Sequence, residues 1–470
     1  MKKTWILLLI TGLFACSGPS DDMVEIRGIV NNPTDTEVEV FYYKDYMTNE
    51  PKSVTVGLGR RNSFKAQLPM SEGQFIYVRV PGRTVSLYAL PGASVHVEFD
   101  AQDPEFQPVV KGKLSYESQF MVAFVQQIER NFGQGLIINR IPEMNTREFV
   151  NYMDSIQDIK LEFMADFQKL SSLDEQFVSI MKANTTYDRI SMLLRYPMYK
   201  TYFSNLEEPI DVGEGYYDFL DAPGLFDDSH LRSRSYLGFL NAYIDYLMIE
   251  NPYAGDETKT YFQIQYEFGR DFLKGGSREF MLSQIVISSL NFEDFELAEA
   301  MYDDYLEIVE DGDMKDIVKR EYEAILALTP GNMAPDFTLT DIHGDTVSMR
   351  DFRGQVVYLD FWASWCGPCM REMPHARELK RKLATQHDLV FLYISIDTEE
   401  TDWRRTVTEQ DIQGIHLNIP GTDHHVATLY NIKGVPTFFI IGRDGRIIDN
   451  RAPRPSNPDI LPTLMVALLE

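Results

Sequence analysis

Two cysteines three residues apart, Cys366 and Cys369, follow the largely apolar run 356–362 and stand in the phrase Trp365-Cys366-Gly367-Pro368-Cys369. A run of that length and character reads as a buried strand. Pro368 suits the first turn of a helix, where its missing N–H costs nothing. A cysteine at a strand-to-helix junction meets the free N–H groups and partial positive charge of a helix N-terminus, which favour a thiolate. Cys366 is therefore expected to be the exposed, low-pKa sulfur. Cys369, one turn further on the same face, can attack a disulfide formed on Cys366. The pattern demands an α/β domain built around one buried strand, with a dithiol at its end.

The chain has 470 residues, more than one hydrophobic core usually organises, and three domains are expected. Its only other cysteine is Cys16. Lys2 and Lys3 precede the apolar run Trp5 to Phe14, ten residues long, too few to span a bilayer core of about 30 Å. Residues 1–15 read as a secretory signal. Leu13-Phe14-Ala15-Cys16 resembles a bacterial lipobox, although Phe14 is larger than the residue usual there. That resemblance implies lipidation of Cys16 and anchoring to a membrane; an ordinary cleavage site containing a cysteine is the alternative. If Cys16 carries lipid, an exported chain keeps a single cysteine pair, too close in sequence to staple a domain, and a redox role follows.

Residues 16–22 form a polar tether, and the acidic Ser20-Asp21-Asp22 suggests outer-membrane sorting. Residues 23–113 alternate apolar and polar, as in Val95-His96-Val97-Glu98-Phe99-Asp100, with Pro, Gly and Asn between runs. This predicts an antiparallel β-sandwich or barrel. His96, Glu98 and Asp100 share a strand face, which suits metal ligands and a solvated outer face equally; no metal is carried forward. Residues 114–328 change to helical spacing, notably 149–170 and 295–309, and predict an all-α domain with an aromatic core. Thr329-Pro330-Gly331-Asn332 reads as a linker. Residues 333–470 then run strand, strand, helix, strand, helix, strand, strand, helix. The net charge is −27, of which only about −5 falls in 333–470, and so acidic a surface excludes nucleic acid as a partner.

The segment Val357 to Cys369 resembles the active-site stretch of thioredoxin. Ala334-Pro335-Asp336-Phe337 and Asp351-Phe352-Arg353-Gly354 before it, and Val426 to Thr437 with Gly434-Val435-Pro436 after it, are similar to TlpA-type exported thiol–disulfide oxidoreductases. The resemblance covers 333–470 and implies a thioredoxin fold. It implies dithiol–disulfide exchange with no organic cofactor beyond the Cys366–Cys369 disulfide. Pro436 matches a cis-proline beside the cysteines, and Val435 the residue whose backbone pairs with substrate. Trp365, Gly367 and Pro368 complete the substrate-binding surface, and Trp362 lies near it. Asp360 stands where thioredoxin has a buried acid, and Glu372, before Pro374, matches an acid frequent in TlpA-type reductases. Either can take the proton of Cys369; Glu372 can equally be a surface helix residue.

Zinc would need further ligands that the CxxC lacks. Peroxide reduction would need a proline and a threonine before Cys366, and 359–365 contains neither. The reading is an envelope lipoprotein reductase or isomerase. Its expected partners are disulfide-bearing envelope proteins and a separate membrane thiol donor. The rival is a binding or assembly lipoprotein in which the redox domain is accessory.

Overall fold

The computed structural model describes residues 22–43, 51–250 and 258–469, which divide into two compact units, 1–285 and 286–470. Cys16, the expected signal and most of the tether lie outside the described residues. Among the described residues, no helix is long and apolar enough to cross a membrane.

The first unit opens with β1 (Met23–Asn31), β2 (Glu37–Tyr43), β3 (Pro51–Gly57), β4 (Ser63–Pro69), β5 (Gln74–Val80), β6 (Arg83–Ala89), β7 (Ser94–Asp100) and β8 (Val109–Lys113). They form two four-stranded sheets, ordered β4-β1-β7-β8 and β3-β2-β5-β6. Alternation puts Val24 and Ile26 of one sheet and Val38 and Val40 of the other into one core. Antiparallel pairing was expected throughout, but β1 and β7 run parallel. Adjacency in sequence does not decide that pairing; burial of both strands' apolar faces does. Glu25, on β1, is 3% exposed, with Arg27 at 2.5 Å and Lys65 at 2.7 Å.

Helices follow: α1 (Tyr116–Phe124), α2 (Arg130–Phe132), α3 (Gln134–Arg140), α4 (Thr146–Leu170), α5 (Glu175–Phe203), α6 (Arg234–Glu250), α7 (Tyr261–Phe272) and α8 (Gly275–Phe292). Asn145 and Glu148 close a reciprocal capping box at the start of α4, and Asp174 caps α5. The apolar stripe of α4, with Phe149, Met153 and Ile156, meets Met192, Leu193 and Tyr196 of α5.

The boundary between the units falls within α8, after Ile285, and the second unit takes in the rest of that helix, α9 (Phe295–Ile308) and α10 (Asp313–Leu326) ahead of the α/β part. That part comprises β9 (Thr338–Thr340), β10 (Thr346–Ser348), β11 (Val356–Trp362), α11 (Gly367–Lys382), β12 (Leu389–Ser395), α12 (Glu400–Glu409), β13 (Ile415–Asn418), α13 (His425–Leu429), β14 (Thr437–Ile441), β15 (Ile447–Asp449) and α14 (Ile460–Ala467). The five-stranded sheet runs β13-β12-β11-β14-β15, with β11, β12 and β13 parallel and β14 and β15 antiparallel. All seven residues of β11 are buried, as expected of a central strand covered on both faces.

Two features depart from the sequence reading. Strand β13 and helix α13 had no local signal strong enough to name them. The segment 329–332 is also no free linker. Gly331 N–H donates to Ile447 O and Ile447 N–H donates to Asn332 O, both at 2.8 Å, so this stretch pairs alongside β15. Its Pro and Gly fit a turn, and the backbone beyond finds partners that the sequence does not reveal.

Candidate active site

Strand β11 delivers the chain to the turn Ala363-Ser364-Trp365, and that turn is tied down. Ser364 donates from its backbone N–H (3.0 Å) and from Oγ (2.6 Å) to the carboxylate of Asp397. Asp397 is 2% exposed, accepts a further bond from Ser395 Oγ at 2.6 Å, and its carbonyl accepts from Asn418 Nδ2 at 3.0 Å. Satisfied polar networks of this kind hold a loop in one geometry. Here the loop aims Cys366 at the start of α11.

Cys366 is the N-cap of α11, with Gly367 and Pro368 in the first turn. Its Sγ accepts the N–H of Cys369 at 3.1 Å. The two sulfurs are joined in a disulfide. Sγ of Cys366 also lies 3.5 Å from the carbonyl oxygen of Val435, and the Val435–Pro436 peptide is cis. The cysteine pair and the Gly434-Val435-Pro436 turn, nearly seventy residues apart in sequence, thus meet. Exposure differs from the expectation for Cys366. In the disulfide it is 4% exposed, against 1% for Cys369, because its sulfur turns inward to the α11 N-terminus and Val435. Trp365 is the part of the phrase that faces solvent, at 68% exposure, whereas Trp362 is fully buried.

Asp360 is 3% exposed on β11, opposite Tyr393 of β12 and Phe438 of β14. Its Oδ1 has no hydrogen-bond partner among the described residues. Burial pushes its carboxyl well above the usual carboxylate range, and the charge of Glu372 adds to the rise. The tyrosine hydroxyls of Tyr358 and Tyr393 are likewise pushed up, by burial first and then by Asp360.

Glu372 sits one turn after Cys369 on α11 and is 8% exposed, so its carboxylate is not on the surface. Ser456 clamps it, with the backbone N–H donating to Oε2 and the hydroxyl to Oε1, each at 2.9 Å. The sequence reading missed Ser456, Asp397 and Ser364. Ser456 lies in a loop 84 residues from its partner and carries no local signal. Asp397 left a trace: Ser395 and Asp397 interrupt an otherwise apolar run at the end of a buried strand.

Among the described residues, no group of three or more His, Cys, Asp or Glu side chains is placed to hold a metal ion. Asp100 instead braces a turn, accepting the N–H groups of Gln102 and Asp103, both at 2.9 Å.

Residues 330–450 match the AhpC/TSA family. The thiol–disulfide oxidoreductase ResA of Geobacillus kaustophilus (strain HTA426) is 32% identical over 124 residues, covering 26% of this chain and 68% of that protein. The chain belongs to the thiol–disulfide oxidoreductases. ResA of Bacillus thuringiensis subsp. konkukian (strain 97-27) is also 32% identical, over 121 residues, covering 25% of this chain and 66% of that protein. This oxidoreductase therefore matches just under two thirds of the length of that relative. A solved putative thiol-disulfide oxidoreductase from Bacteroides vulgatus shares 34% identity, covers 30% of this chain and 98% of that one, and superposes with a TM-score of 0.28. The C-terminal domain of the oxidoreductase is a thioredoxin-like fold.

Proposed function

We propose that this protein is a TlpA-type reductase or isomerase of the cell envelope, held to the outer membrane by lipid on Cys16. It exchanges dithiol for disulfide through Cys366 and Cys369. The observation that carries this reading is the cysteine pair at the N-terminus of α11, with Sγ of Cys366 3.5 Å from the carbonyl beside the cis-proline.

The thiolate of Cys366 attacks one sulfur of a substrate disulfide. That S–S bond breaks, the substrate's other sulfur leaves and takes a proton, and a mixed disulfide forms. Cys369 then loses its proton to a nearby carboxylate and attacks Sγ of Cys366. The second substrate thiol leaves, and the pair ends oxidised, having passed two electrons to the substrate. A separate membrane dithiol donor restores it. The helix N-terminus and the Cys369 N–H stabilise the Cys366 thiolate in the first step. Asp360 and Glu372 serve proton transfer in the second. Trp365, Gly367 and Pro368 face the substrate, whose backbone pairs with Val435. The two acids disfavour further negative charge on the cysteine pair relative to a strong oxidant, so the potential lies below about −200 mV.

Insulin reduction by the full chain tests the reading. Cys366→Ser abolishes it, and Cys369→Ser accumulates mixed disulfides with envelope proteins. A potential near about −120 mV, with the pair fully oxidised in cells, reverses the electron flow assigned here. Consumption of peroxide at a rate matching disulfide reduction replaces exchange with peroxidase chemistry.

A further inference from the structure

The helical part of the first unit contains a cavity of about 310 Å3 between α3, α4, α5 and α6. Small-molecule sites fall in the range of roughly 300–1,000 Å3, and the spaces between bundled helices are a usual place for them. Its apolar wall is Ile137, Met153, Ile156 and Met192. Three observations distinguish it from a packing defect.

The first is charge. Lys160, Arg189, Arg195 and Arg234 line the cavity against only Glu129 and Asp188, in a chain whose net charge is −27. The two carboxylates are both engaged by Lys160, at 3.3 and 3.2 Å, and Arg189 pairs with Asp154 at 2.6 Å, outside the lining. Arg195 makes no ion pair among the described residues. Among the described residues its guanidinium hydrogen-bonds only the carbonyl of Gly238, at 3.4 Å; the carboxylate of Asp245, whose Oδ1 accepts from Tyr261 and Gln265, attracts it from beyond ion-pair distance. A guanidinium fork with donors to spare favours a carboxylate.

The second is Ser191. It lines the cavity, is 7% exposed, and its hydroxyl is buried with no hydrogen-bond partner among the described residues. A buried hydroxyl left unpaired is costly, and a ligand oxygen would satisfy it. The third is Gly238, in the interior of α6. A Cβ placed there would meet nothing within 4 Å. Glycine within a helix is less stable than alanine, so the bundle carries a destabilising residue where any side chain would begin to fill the cavity.

We propose that this cavity is a binding site for a small amphipathic carboxylate, its head on Arg195 and Ser191 and its apolar body against Met153, Ile156 and Met192. It gives the helical region a ligand of its own, separate from the chemistry of the cysteines.

Calorimetric titration of the full chain with octanoate, octanol and octylammonium tests it. Octanoate is expected to bind at one site per chain, at least about tenfold tighter than either uncharged or cationic analogue. Arg195→Gln should weaken octanoate by about tenfold and leave octanol unchanged. Gly238→Leu should abolish octanoate binding while insulin reduction persists. Gly238→Ala, the milder variant, should raise the thermal midpoint of the free protein and reduce the rise that octanoate produces. No octanoate binding, equal binding of all three probes, or binding that survives Gly238→Leu in a folded protein each overturns the proposal.

Discussion

Glu25 and Asp360 are both carboxyl groups buried to within a few per cent on strands, one in each unit, and their environments are opposite. Burial raises the pKa of both. At Glu25, hydrogen bonds and charge from Lys65 and Arg27 more than offset burial and bring the pKa from 4.5 down to about 2. At Asp360, among the described residues, no cation answers, one oxygen lacks a partner, and the nearby charge is a second carboxylate, so its pKa goes the other way. A buried acid that serves only the fold is paired. One left without a cation, on the strand that leads to the cysteine pair, is a candidate for a place where function outweighs stability.

The most disruptive change to that contrast is Asp360→Asn. It should slow resolution of the mixed disulfide by about 100-fold, the lower range for general-base catalysis, with less effect on the first attack. Because the raised pKa favours the protonated folded state, Asp360 stabilises the domain fully below 3.8 and loses that contribution as pH rises through the folded value. The variant should therefore show a higher thermal midpoint at neutral pH. Rapid-mixing kinetics and scanning calorimetry read both effects; unchanged resolution removes Asp360 from proton transfer.

Ser456→Ala tests the second acid. Loss of the hydroxyl frees one Glu372 oxygen, and resolution should slow by about tenfold, the worth of one hydrogen bond to a charged group. The pH profile of that step should shift as well. A purely structural serine would change the midpoint and leave the profile in place.

Glu25→Gln is the control on the other side. It should cost about 1–2 kcal/mol of stability at pH 7, discounted for the half-exposed cations, and leave insulin reduction unchanged. The smallest effect is on pH dependence. Wild-type stability from Glu25 is complete above 4.5 and lost as pH falls through about 2, and the variant should lack that acid limb in denaturant titrations. A loss of activity in Glu25→Gln would dissolve the distinction between the two carboxyls.

Much of the site was legible because its parts are local. Trp365 to Cys369 specifies a strand–turn–helix by residue type alone, and Cys366 as N-cap follows from Pro368 two residues on. Pro436 and Asp360 came through family resemblance, which stands in for tertiary information. Ser456 and Asp397 were not legible, since a serine or aspartate in a loop has many uses and its partner is chosen by the fold. Strand β13 and helix α13 were too short for periodicity to register.

The sequence by itself determined the alternation of the first strands, the helical texture of the middle, and the dithiol with its helix, because propensity, caps and turn chemistry act within a few residues. Tertiary structure alone decided four things: the parallel pairing of β1 with β7, the burial of Cys366 against Val435, the clamp of Ser456 on Glu372, and which buried acid has a cation beside it. Each of these depends on groups far apart along the chain, whose meeting is set by burial of whole elements and not by any local preference.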